Sequence, residues 1–314
     1  MADKKRIGII GARGFVGGEL LKLIKAHPKL ELAYASSRQQ AGTKIDGFDG
    51  AMFESLSPDE AAKRAANLVF LALPNGVAAP WVEVILKATP RTRFIDMSAD
   101  YRFDDDWAYG LSELNREALR GAALIANPGC YATAAQLAIA PMVSRLCTPP
   151  AVFGVSGYSG AGTTPSPKND PKMLKDNFMP YGLSGHMHER EIGHQLGTSV
   201  HFMPHVAAFF RGLSVTVNLG FKAPITVDEL RALYAQGYAG ETFVTVSDEA
   251  PQVRDIVNTF GARVGGFSLA EGGRRAVMIC VLDNLLKGAA SQAIQNLNLS
   301  FGFTENEGLQ GAVA

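Results

Sequence analysis

Five continuously apolar runs that alternate with helical segments constrain the fold of the first 127 residues more than any other feature. The runs cover residues 6–10, 30–35, 66–73, 93–97 and 122–126, and helical periodicity follows at residues 16–26 and 77–88. Continuous apolar character is typical of strands that are buried on both faces of a parallel sheet. Strands that alternate with helices in this way predict a doubly wound α/β domain.

The pattern changes after Pro128. A helical segment at residues 131–144 precedes strand-like runs at 152–155, 199–203, 213–221, 242–246 and 276–282, which predict an α+β domain with a mixed sheet. The last helical stretch, residues 284–303, is expected to fold back onto the first domain, and residues 305–314 are expected to fray. The expected domains are therefore residues 1–127 and 128–283, and a chain of 314 residues is long enough for two.

Composition excludes several classes of partner. Lys plus Arg and Asp plus Glu both number 30, so the formal net charge is zero, which argues against broad attraction to nucleic acid or to an anionic membrane. No apolar run approaches the ~20 residues of a membrane-spanning helix, and we expect no secretion signal. The three cysteines include no CxxC pair, which disfavours a disulfide framework or a structural zinc site. We therefore expect a cytoplasmic protein without a metal.

A glycine-rich turn follows the first predicted strand and opens the first helix, with the spacing GxxGxxG. Glycines in such a turn let the backbone approach a pyrophosphate, which then lies at a helix N-terminus that favours anions. The same glycines also suit an ordinary tight turn, but their place between a strand and a helix favours a Rossmann-type dinucleotide site. The predicted cofactor contacts are Gly11, Arg13, Gly14, Phe15, Val16 and Gly17.

The end of the second strand distinguishes between the two nicotinamide cofactors. An enzyme that uses NAD typically has Asp or Glu there, to bind the ribose 2′-hydroxyl. This chain has Ser36, Ser37 and Arg38. Because arginine forms charge-assisted hydrogen bonds to a 2′-phosphate, these residues predict NADP(H), unless they form only a solvated loop. Pro74, after the third strand, is assigned to the same cofactor site.

Cys130 lies where a predicted strand meets a predicted helix, directly after Pro128 and Gly129. The turn places the thiol at the first helical position, where the helix dipole favours a thiolate and free N–H groups can hold a developing oxyanion. An average cysteine is a small buried hydrophobe, and that description suits Cys280 and Cys147 better. The sequence therefore predicts Cys130 as a nucleophile.

Two histidines in the segment GHMHERE, residues 185–191, are candidates for proton transfer, because histidine titrates near pH 7. The alternative is an exposed polar helix start, with Glu189 and Glu191 near its positive end. A metal site is less favoured, because histidines two residues apart do not share a helix face.

Polar groups at predicted strand ends and in a glycine-rich loop are candidates for binding an anionic substrate. Strand ends form the ligand crevice of parallel sheets, and the loop SGYSGAG offers hydroxyl and N–H groups. Each of these groups is alternatively an ordinary polar residue of a turn or a sheet end. The candidates are Ser98, Arg102, Ser156, Gly157, His205 and Arg211.

The segment around Cys130, IANPGCYATAAQLAIAP, resembles the active-site signature of the N-acetyl-gamma-glutamyl-phosphate reductases. Other similar segments are GARGFVGGEL, FIDMSADYRF, SGYSGAG, HMHEREI, FMPHVAAFFRG and DNLLKGAASQAIQNLN, so the resemblance covers nearly the whole chain. The form SGYSGAGTTPSPKND is similar to the short bacterial branch. The resemblance implies a homodimeric or homotetrameric enzyme that uses NADPH to reduce N-acetyl-gamma-glutamyl phosphate to the semialdehyde and inorganic phosphate, in arginine biosynthesis.

The resemblance also implies roles for particular residues. Matched to the family's H-x-H-x-x-E motif, His186 is the acid–base residue, favoured over His188, and Glu191 is its neighbouring carboxylate. Tyr181 corresponds to an active-site tyrosine, Asn284 to a position near the nicotinamide, and Arg102 is consistent with a phosphate ligand.

The expected mechanism proceeds through a thioester on Cys130, which hydride converts to a thiohemiacetal that collapses to the semialdehyde. One alternative is a sister reductase that acts on aspartyl or acetylaminoadipyl phosphate. A second is a non-catalytic regulator that senses dinucleotides and retains the fold. Loss of the cysteine or of the histidine would favour the regulator, and both residues are present.

Overall fold

The computed structural model describes residues 4–309, which form two compact units. One unit contains the described residues before Gly129 and after Gly288, and the other is Gly129–Gly288. The first division lies beside the boundary expected at residue 127, whereas the chain returns to the first unit at Ala289 rather than at residue 284.

The regular elements are bounded as follows. The strands are β1 (Lys5–Ile10), β2 (Leu30–Ser36), β3 (Leu68–Leu71), β4 (Arg93–Asp96), β5 (Ala108–Tyr109), β6 (Leu124–Ala126), β7 (Ala151–Gly157), β8 (Phe178–Pro180), β9 (His201–Ala207), β10 (Leu213–Gly220), β11 (Val244–Ser247), β12 (Ala262–Ala270) and β13 (Arg275–Leu282). The helices are α1 (Phe15–Ala26), α2 (Pro58–Ala62), α3 (Ala79–Ala88), α4 (Ser112–Leu119), α5 (Cys130–Ile139), α6 (Pro171–Leu174), α7 (Met187–Leu196), α8 (Val227–Gly237) and α9 (Ser291–Phe301). Along residues 4–309, no helix is both long and apolar enough to cross a bilayer.

The first unit contains a six-stranded sheet in the order β2-β1-β3-β4-β6-β5, in which every pairing is parallel. Strand β1 lies between β2 and β3, so the chain crosses over in opposite directions on its two sides. This reversal opens a crevice at the carboxyl ends of β1 and β3, which is where doubly wound sheets bind ligands. The predicted doubly wound parallel sheet is confirmed.

Helices cover this sheet with small and branched apolar side chains. Ala61 of α2, together with Val82 and Ile85 of α3, packs into an apolar cluster. Leu71 and Phe94, from the buried runs of β3 and β4, belong to the same cluster. The continuous apolar runs of the sequence are therefore strands that contribute side chains to a buried core, as expected for a parallel sheet.

Helix α9 returns to the first unit and packs against α1, α4 and β4. The predicted helical stretch is not uniform, because Leu286–Ala290 forms a π-helix before α9 begins. Two buried amides of α9 are hydrogen-bonded to their surroundings: Asn298 Oδ1 lies 3.0 Å from His27 Nε2, and Asn296 Nδ2 donates to Gly110 O and Asn127 Oδ1, both at 2.9 Å. These partners explain how so polar a helix is buried.

Residues 305–309 are not frayed, which corrects the expectation from composition. Glu305 pairs with Arg116 at 2.8 Å, Glu307 pairs with Lys29 at 2.6 Å, and Leu309 is buried. The rest of the segment expected to fray, residues 310–314, lies outside the described residues.

The second unit contains a seven-stranded sheet in the order β11-β12-β13-β10-β7-β9-β8. The pairs β11–β12 and β7–β9 are parallel and the other pairs are antiparallel, so the predicted mixed sheet is confirmed. Helix α5 lies on this sheet, and every residue of Tyr131–Ile139 is buried, so the helix is apolar all round rather than amphipathic.

The helix predicted at residues 131–144 is shorter than expected. Helix α5 ends at Ile139, and Ala140–Arg145 continues as a 3₁₀-helix with Pro141 near its start. Proline has no N–H and its ring clashes with the preceding turn, so an α-helix does not continue regularly through it. Strands β8 and β12 and helix α8 of this unit were not predicted by the sequence analysis.

Candidate active site

Cys130 is the first residue of α5, at the position predicted from the turn that precedes it. Gly129 is the N-cap, with φ −76° and ψ 152°, and provides no side chain to accept the first N–H groups of the helix. The first turn contains no acidic residue, and the thiol is partly exposed. The positive end of α5 is therefore available to a thiolate or an oxyanion.

Glu191 of α7 is fully buried, and its carboxylate connects the turn that precedes Cys130 to His188. Its Oε1 accepts the N–H of Gly129 at 2.9 Å, and its Oε2 lies 3.0 Å from Nδ1 of His188. The predicted pairing of Glu191 with His186 is therefore wrong. Residues three apart lie on one face of a helix, whereas residues five apart do not, and His186 precedes the first turn of α7.

His188 is held between the carboxylate and the thiol. Burial alone would lower the pKa of His188, but hydrogen bonds to Cys130 and Glu191 and the charge of Glu191 outweigh it and raise the pKa to about 9. An ionised carboxylate only accepts, so Nδ1 of His188 carries a proton. The other ring nitrogen, Nε2, is then available to hydrogen-bond the side chain of Cys130. The positive charge of the imidazolium form stabilises a thiolate there.

His186 has a different environment, although its ring lies 5.1 Å from that of His188. It is the N-cap of α7, and its Nδ1 accepts the N–H of His188 at 3.1 Å. Burial, the charge of His188 and the charge of Lys168 lower the pKa of His186 to about 4. His186 is therefore neutral near pH 7, and its geometry makes it a cap that orients His188.

Tyr181 lies in the same cluster, as expected. Its ring is 5.5 Å from that of His186, and it is hydrogen-bonded to Tyr131, the residue after the cysteine. Burial and the charge of Cys130 raise the pKa of Tyr181 well above its usual range, so the phenol stays protonated and remains a hydrogen-bond donor. The predicted set Cys130, His186, Glu191 and Tyr181 is thus brought together in one unit, with His188 at its centre.

Gly288 is a neighbour of Cys130 that the sequence analysis missed. A Cβ atom at Gly288 would lie 2.7 Å from Cys130 Cβ and 3.2 Å from Cys130 Cα, so only glycine allows this approach. Gly288 belongs to the π-helix Leu286–Ala290, and π-turns are frequent at functional sites. The motif LLKGAA showed a glycine inside a helical pattern, which is the signal of a close approach.

The loop that begins with Ser156 and Gly157 is less available to an anion than predicted. Ser156 is buried, and its hydroxyl donates to Gly157 O at 3.1 Å. The N–H of Gly157 donates to Gly212 O at 2.8 Å, and the next two N–H groups of the loop also donate to backbone carbonyls. These donors are occupied because the loop packs against the chain before β10, so the prediction of N–H groups free for an anion is wrong here.

Arg211 and His205 have internal partners. Nε of Arg211 lies 3.1 Å from Oδ2 of the buried Asp283, and its Nη1 donates to Asn258 Oδ1. Nδ1 of His205 lies 3.1 Å from Met203 O. The carboxylate of Asp283 already balances the charge of Arg211, which weakens its candidacy as a substrate ligand.

Asn284, predicted to lie near the nicotinamide, connects two loops of the second unit. Its Oδ1 accepts the N–H of Gly212 at 2.7 Å, and its Nδ2 donates to Ser159 Oγ at 2.9 Å. The side chain is buried, so its internal contacts account for most of its hydrogen-bonding capacity.

Ser98 and Arg102, in the first unit, are also held internally. The Ser98 hydroxyl donates to Asp96 Oδ2 at 2.7 Å, which gives it a structural role instead of the predicted one in substrate binding. Arg102 is buried, and it donates through Nε to Asn127 O at 2.9 Å and through Nη2 to Met97 O at 3.2 Å. These carbonyls fix the orientation of the guanidinium.

The glycine-rich turn has the geometry expected for a dinucleotide. Gly11 has φ +84°, and a Cβ there would lie 2.2 Å from Ala72 O, while a Cβ at Gly17 would lie 2.5 Å from Ala12 O. Helix α1 begins after Gly14 at Phe15 and Val16, with no side-chain cap and no acidic residue in its first turn. The turn and the helix N-terminus therefore fit a pyrophosphate.

The groups expected at the adenosine end differ in availability. Ser36 and Ser37 are buried, and their hydroxyl oxygens accept the N–H groups of Leu56 and Gln40, both at 3.3 Å. Arg13 and Arg38 are exposed, as is Pro74 after β3, and neither arginine forms an ion pair with any residue in the described range. Arg38 is therefore the better-supported ligand for a 2′-phosphate, and the serine hydroxyls are mainly structural.

Two family models match the chain. Residues 6–122 match the model described as semialdehyde dehydrogenase, NAD binding domain, and residues 130–284 match the model described as semialdehyde dehydrogenase, dimerisation domain. Proteins named N-acetyl-gamma-glutamyl-phosphate reductase are similar over nearly their whole length. The protein from Xanthomonas axonopodis pv. citri is 55% identical, covering 96% of this chain and 97% of its own, and the protein from Stenotrophomonas maltophilia is 53% identical, covering 95% and 96%.

This chain belongs to the N-acetyl-gamma-glutamyl-phosphate reductase family. Residues 6–122 are the nicotinamide dinucleotide-binding domain of the family. Among solved structures, aspartate semialdehyde dehydrogenase II from Vibrio cholerae superposes with a TM-score of 0.78 at 18% identity, covering 96% of this chain and 99% of that one. At that identity the likeness supports the fold alone, and it agrees with the two units described above.

Proposed function

We propose that this member of the reductase family reduces N-acetyl-gamma-glutamyl phosphate to N-acetylglutamate semialdehyde and inorganic phosphate, a step of arginine biosynthesis. The observation that carries the proposal is the arrangement of Cys130, His188 and Glu191 at the N-terminus of α5. The names of the relatives favour this substrate over the aspartyl and acetylaminoadipyl phosphates.

In the first half-reaction, the Cys130 thiolate attacks the acyl carbon, and the bond from that carbon to the phosphate oxygen breaks. Phosphate leaves with the bonding electrons, and a thioester remains on Cys130. Because the pKa of His188 is raised to about 9, its ring is protonated near pH 7, and this positive charge favours the thiolate form of Cys130 before attack. The open N-terminus of α5 stabilises the negative charge that develops on the acyl oxygen.

In the second half-reaction, a nicotinamide cofactor held by the turn Gly11–Gly17 would supply hydride to the carbonyl carbon of the thioester. We assign to His188 the proton that the resulting oxyanion takes up. His188 then accepts the hydroxyl proton of the thiohemiacetal as the carbon–sulfur bond breaks, which releases the aldehyde and restores the thiolate. We assign Tyr181, a protonated donor, to the substrate oxygen, and His186 to the orientation of His188.

For the cofactor we propose NADPH in preference to NADH. Strand β2 ends at Ser36 without an acidic residue that would bind a ribose 2′-hydroxyl, and Arg38 is exposed and unpaired within the described chain. A guanidinium in that position suits a 2′-phosphate. The pyrophosphate is assigned to the turn Gly11–Gly17 and the N-terminus of α1.

We further propose that residues 1–127, with the returning C-terminal helix, bind the cofactor and that residues 128–283 bind the substrate. Arg102 and His205 remain our candidates for contacts to the substrate. The match of residues 130–284 to a dimerisation domain supports a homodimer or a homotetramer. The need for a free catalytic thiol supports a reducing cytoplasm.

The reverse reaction tests the function. Wild-type enzyme is given N-acetylglutamate semialdehyde, phosphate and NADP+, and NADPH absorbance is followed, with Cys130→Ser as the test variant. Cys147→Ser is the matched control, because Cys147 is exposed, contrary to the expectation that it is buried, and lies outside the cluster. Phosphate-dependent NADPH formation that only Cys130→Ser abolishes supports the proposal. Turnover with aspartate semialdehyde instead would indicate the sister reaction, and folded wild type that binds NADPH without any turnover would indicate the regulator.

A further inference from the structure

The loop between β7 and β8 contains three lysines, and the backbone at one of them, Lys168, is held in place by local hydrogen bonds. Lys168 lies in the 3₁₀-helix Pro167–Asn169, which begins with a reciprocal cap between Ser166 and Asn169. The amide nitrogen of Asn169 donates to Gly162 O at 2.9 Å and to Thr164 O at 2.7 Å. Asn169 therefore ties the residues before the lysine to the residue after it, which fixes the backbone from which the Lys168 side chain extends.

The ammonium group of Lys168 lies over an active-site ring. Its Nζ is 4.8 Å from the ring centroid of Tyr181, and the charge of Lys168 is among the causes that lower the pKa of His186. The lysine is half-buried, and no carboxylate of the described residues lies within ion-pair distance of it. Asp170, the nearest acid along the chain, instead accepts the N–H of Lys172 at 2.9 Å.

Two other cations of the second unit have partners away from Tyr181. Arg211 is paired with Asp283, and Lys287 is fully buried with its Nζ 5.7 Å from the ring centroid of Phe243. The charge of Lys168 is thus not compensated by a carboxylate. The ring against which its ammonium group lies, Tyr181, belongs to the same cluster as Cys130. An uncompensated, partly desolvated cation beside a reacting centre is suited to an anionic group of the substrate.

We propose that Lys168 binds the phosphoryl group of the acyl phosphate and stays with it as phosphate leaves. This inference rests on the proposed function. Of the two anionic groups of that substrate, the phosphate is bonded to the carbon that Cys130 attacks, whereas the carboxylate lies at the far end of the carbon chain. A flexible ammonium group can follow the leaving phosphate as its charge grows, acting as a point charge rather than a fixed bidentate clamp.

The test compares Lys168→Met, Lys168→Arg and the control Lys172→Met in the reverse reaction. Lys172 is exposed on the same loop, so its replacement removes the same charge without reaching the cluster. For Lys168→Met we expect the KM for phosphate to rise roughly ten- to a hundred-fold, as for a lost charge-assisted contact. The KM for the semialdehyde should stay within about two-fold of wild type, with partial recovery in Lys168→Arg and no change in Lys172→Met.

A second readout does not need turnover. Inorganic phosphate should slow the alkylation of Cys130 by iodoacetamide in wild type and in Lys172→Met, and the concentration required should rise in Lys168→Met by the same factor as the KM. A rise in the KM for the semialdehyde alone would assign Lys168 to the carboxylate and overturn the proposal, and an unchanged phosphate KM and protection would overturn it too. Wild type without turnover would instead refute the proposed function, while the protection measurement would still decide the role of Lys168.

Discussion

Replacement of Glu191 by glutamine removes one charge from the centre of the cluster and keeps the shape of the side chain. The carboxylate accepts from Gly129 and from His188 at 2.9 and 3.0 Å, whereas an amide has only one oxygen for the two donors. The bond to His188 is charge-assisted and is worth roughly 2 kcal/mol. Its loss should lower the pKa of His188 by about 1.5 units, from the value of about 9 that the intact site supports.

The assay is the pH profile of kcat/KM, whose alkaline limb reports the free enzyme's essential acid. The limb should move to lower pH by about one to two units in Glu191→Gln, and kcat/KM near pH 8 should fall roughly two- to ten-fold, because a smaller fraction of His188 is then protonated. The alkylation rate of Cys130, measured in a Cys147→Ser background, should fall with it, because less imidazolium then favours the thiolate.

Glu189→Gln is the matched control for this prediction. Glu189 also lies on α7 and also accepts two backbone N–H groups, from Gly185 at 3.2 Å and from Phe202 at 2.9 Å. The two substitutions therefore disturb the hydrogen bonding of α7 to a similar extent. An unshifted alkaline limb in folded Glu191→Gln would refute the reasoning, and so would an equal loss of activity in Glu189→Gln.

Three further predictions concern the cofactor, the approach to the thiol and stability. Arg38→Gln should raise the KM for NADPH roughly ten-fold and leave the KM for NADH unchanged, with Arg91→Gln as a surface control; equal effects on both cofactors would contradict NADP selection. Gly288→Ala places a methyl group 2.7 Å from Cys130 Cβ, so kcat should fall at least roughly ten-fold while circular dichroism stays native. Because the pKa of His188 is raised from 6.5 to about 9, the contribution of His188 to the free energy of unfolding is complete below pH 6.5 and is lost as the pH rises through 9. Urea unfolding should therefore show the difference between wild type and His188→Gln shrinking over that range, and a constant difference would contradict this account.

The sequence predicted the parts of the fold that have strong local signals. Continuous apolar runs located five of the six strands of the first sheet, all but β5, and the turn before Cys130 located the start of α5, because both signals are contained in a few adjacent residues. Helix α8 and strands β8 and β12 were missed, because their formation depends on packing within the second unit, whereas the early end of α5 at Ile139 reflects Pro141, a local signal that the prediction overlooked.

The site was predicted less completely, because its geometry depends on partners far apart in the chain. The pairing of Glu191 with His188 rather than His186 follows from the start of α7 at Met187, and a shift of one or two residues in that boundary changes which histidine faces the carboxylate. Occupied donors at a distance were also not predictable: the N–H of Gly157 donates to Gly212 O, which only the folded chain brings near.

The central claim is that the substrate's acyl group is held on Cys130 as a thioester. The most direct measurement is the intact mass of the enzyme after mixing with N-acetylglutamate semialdehyde and NADP+ in the absence of phosphate. The account predicts a burst of one NADPH per active site, a mass increase of one N-acetylglutamyl group mapped to Cys130, and its release when phosphate is added. Turnover on adding phosphate without any acylated Cys130, or with the acyl group on another residue, would contradict it.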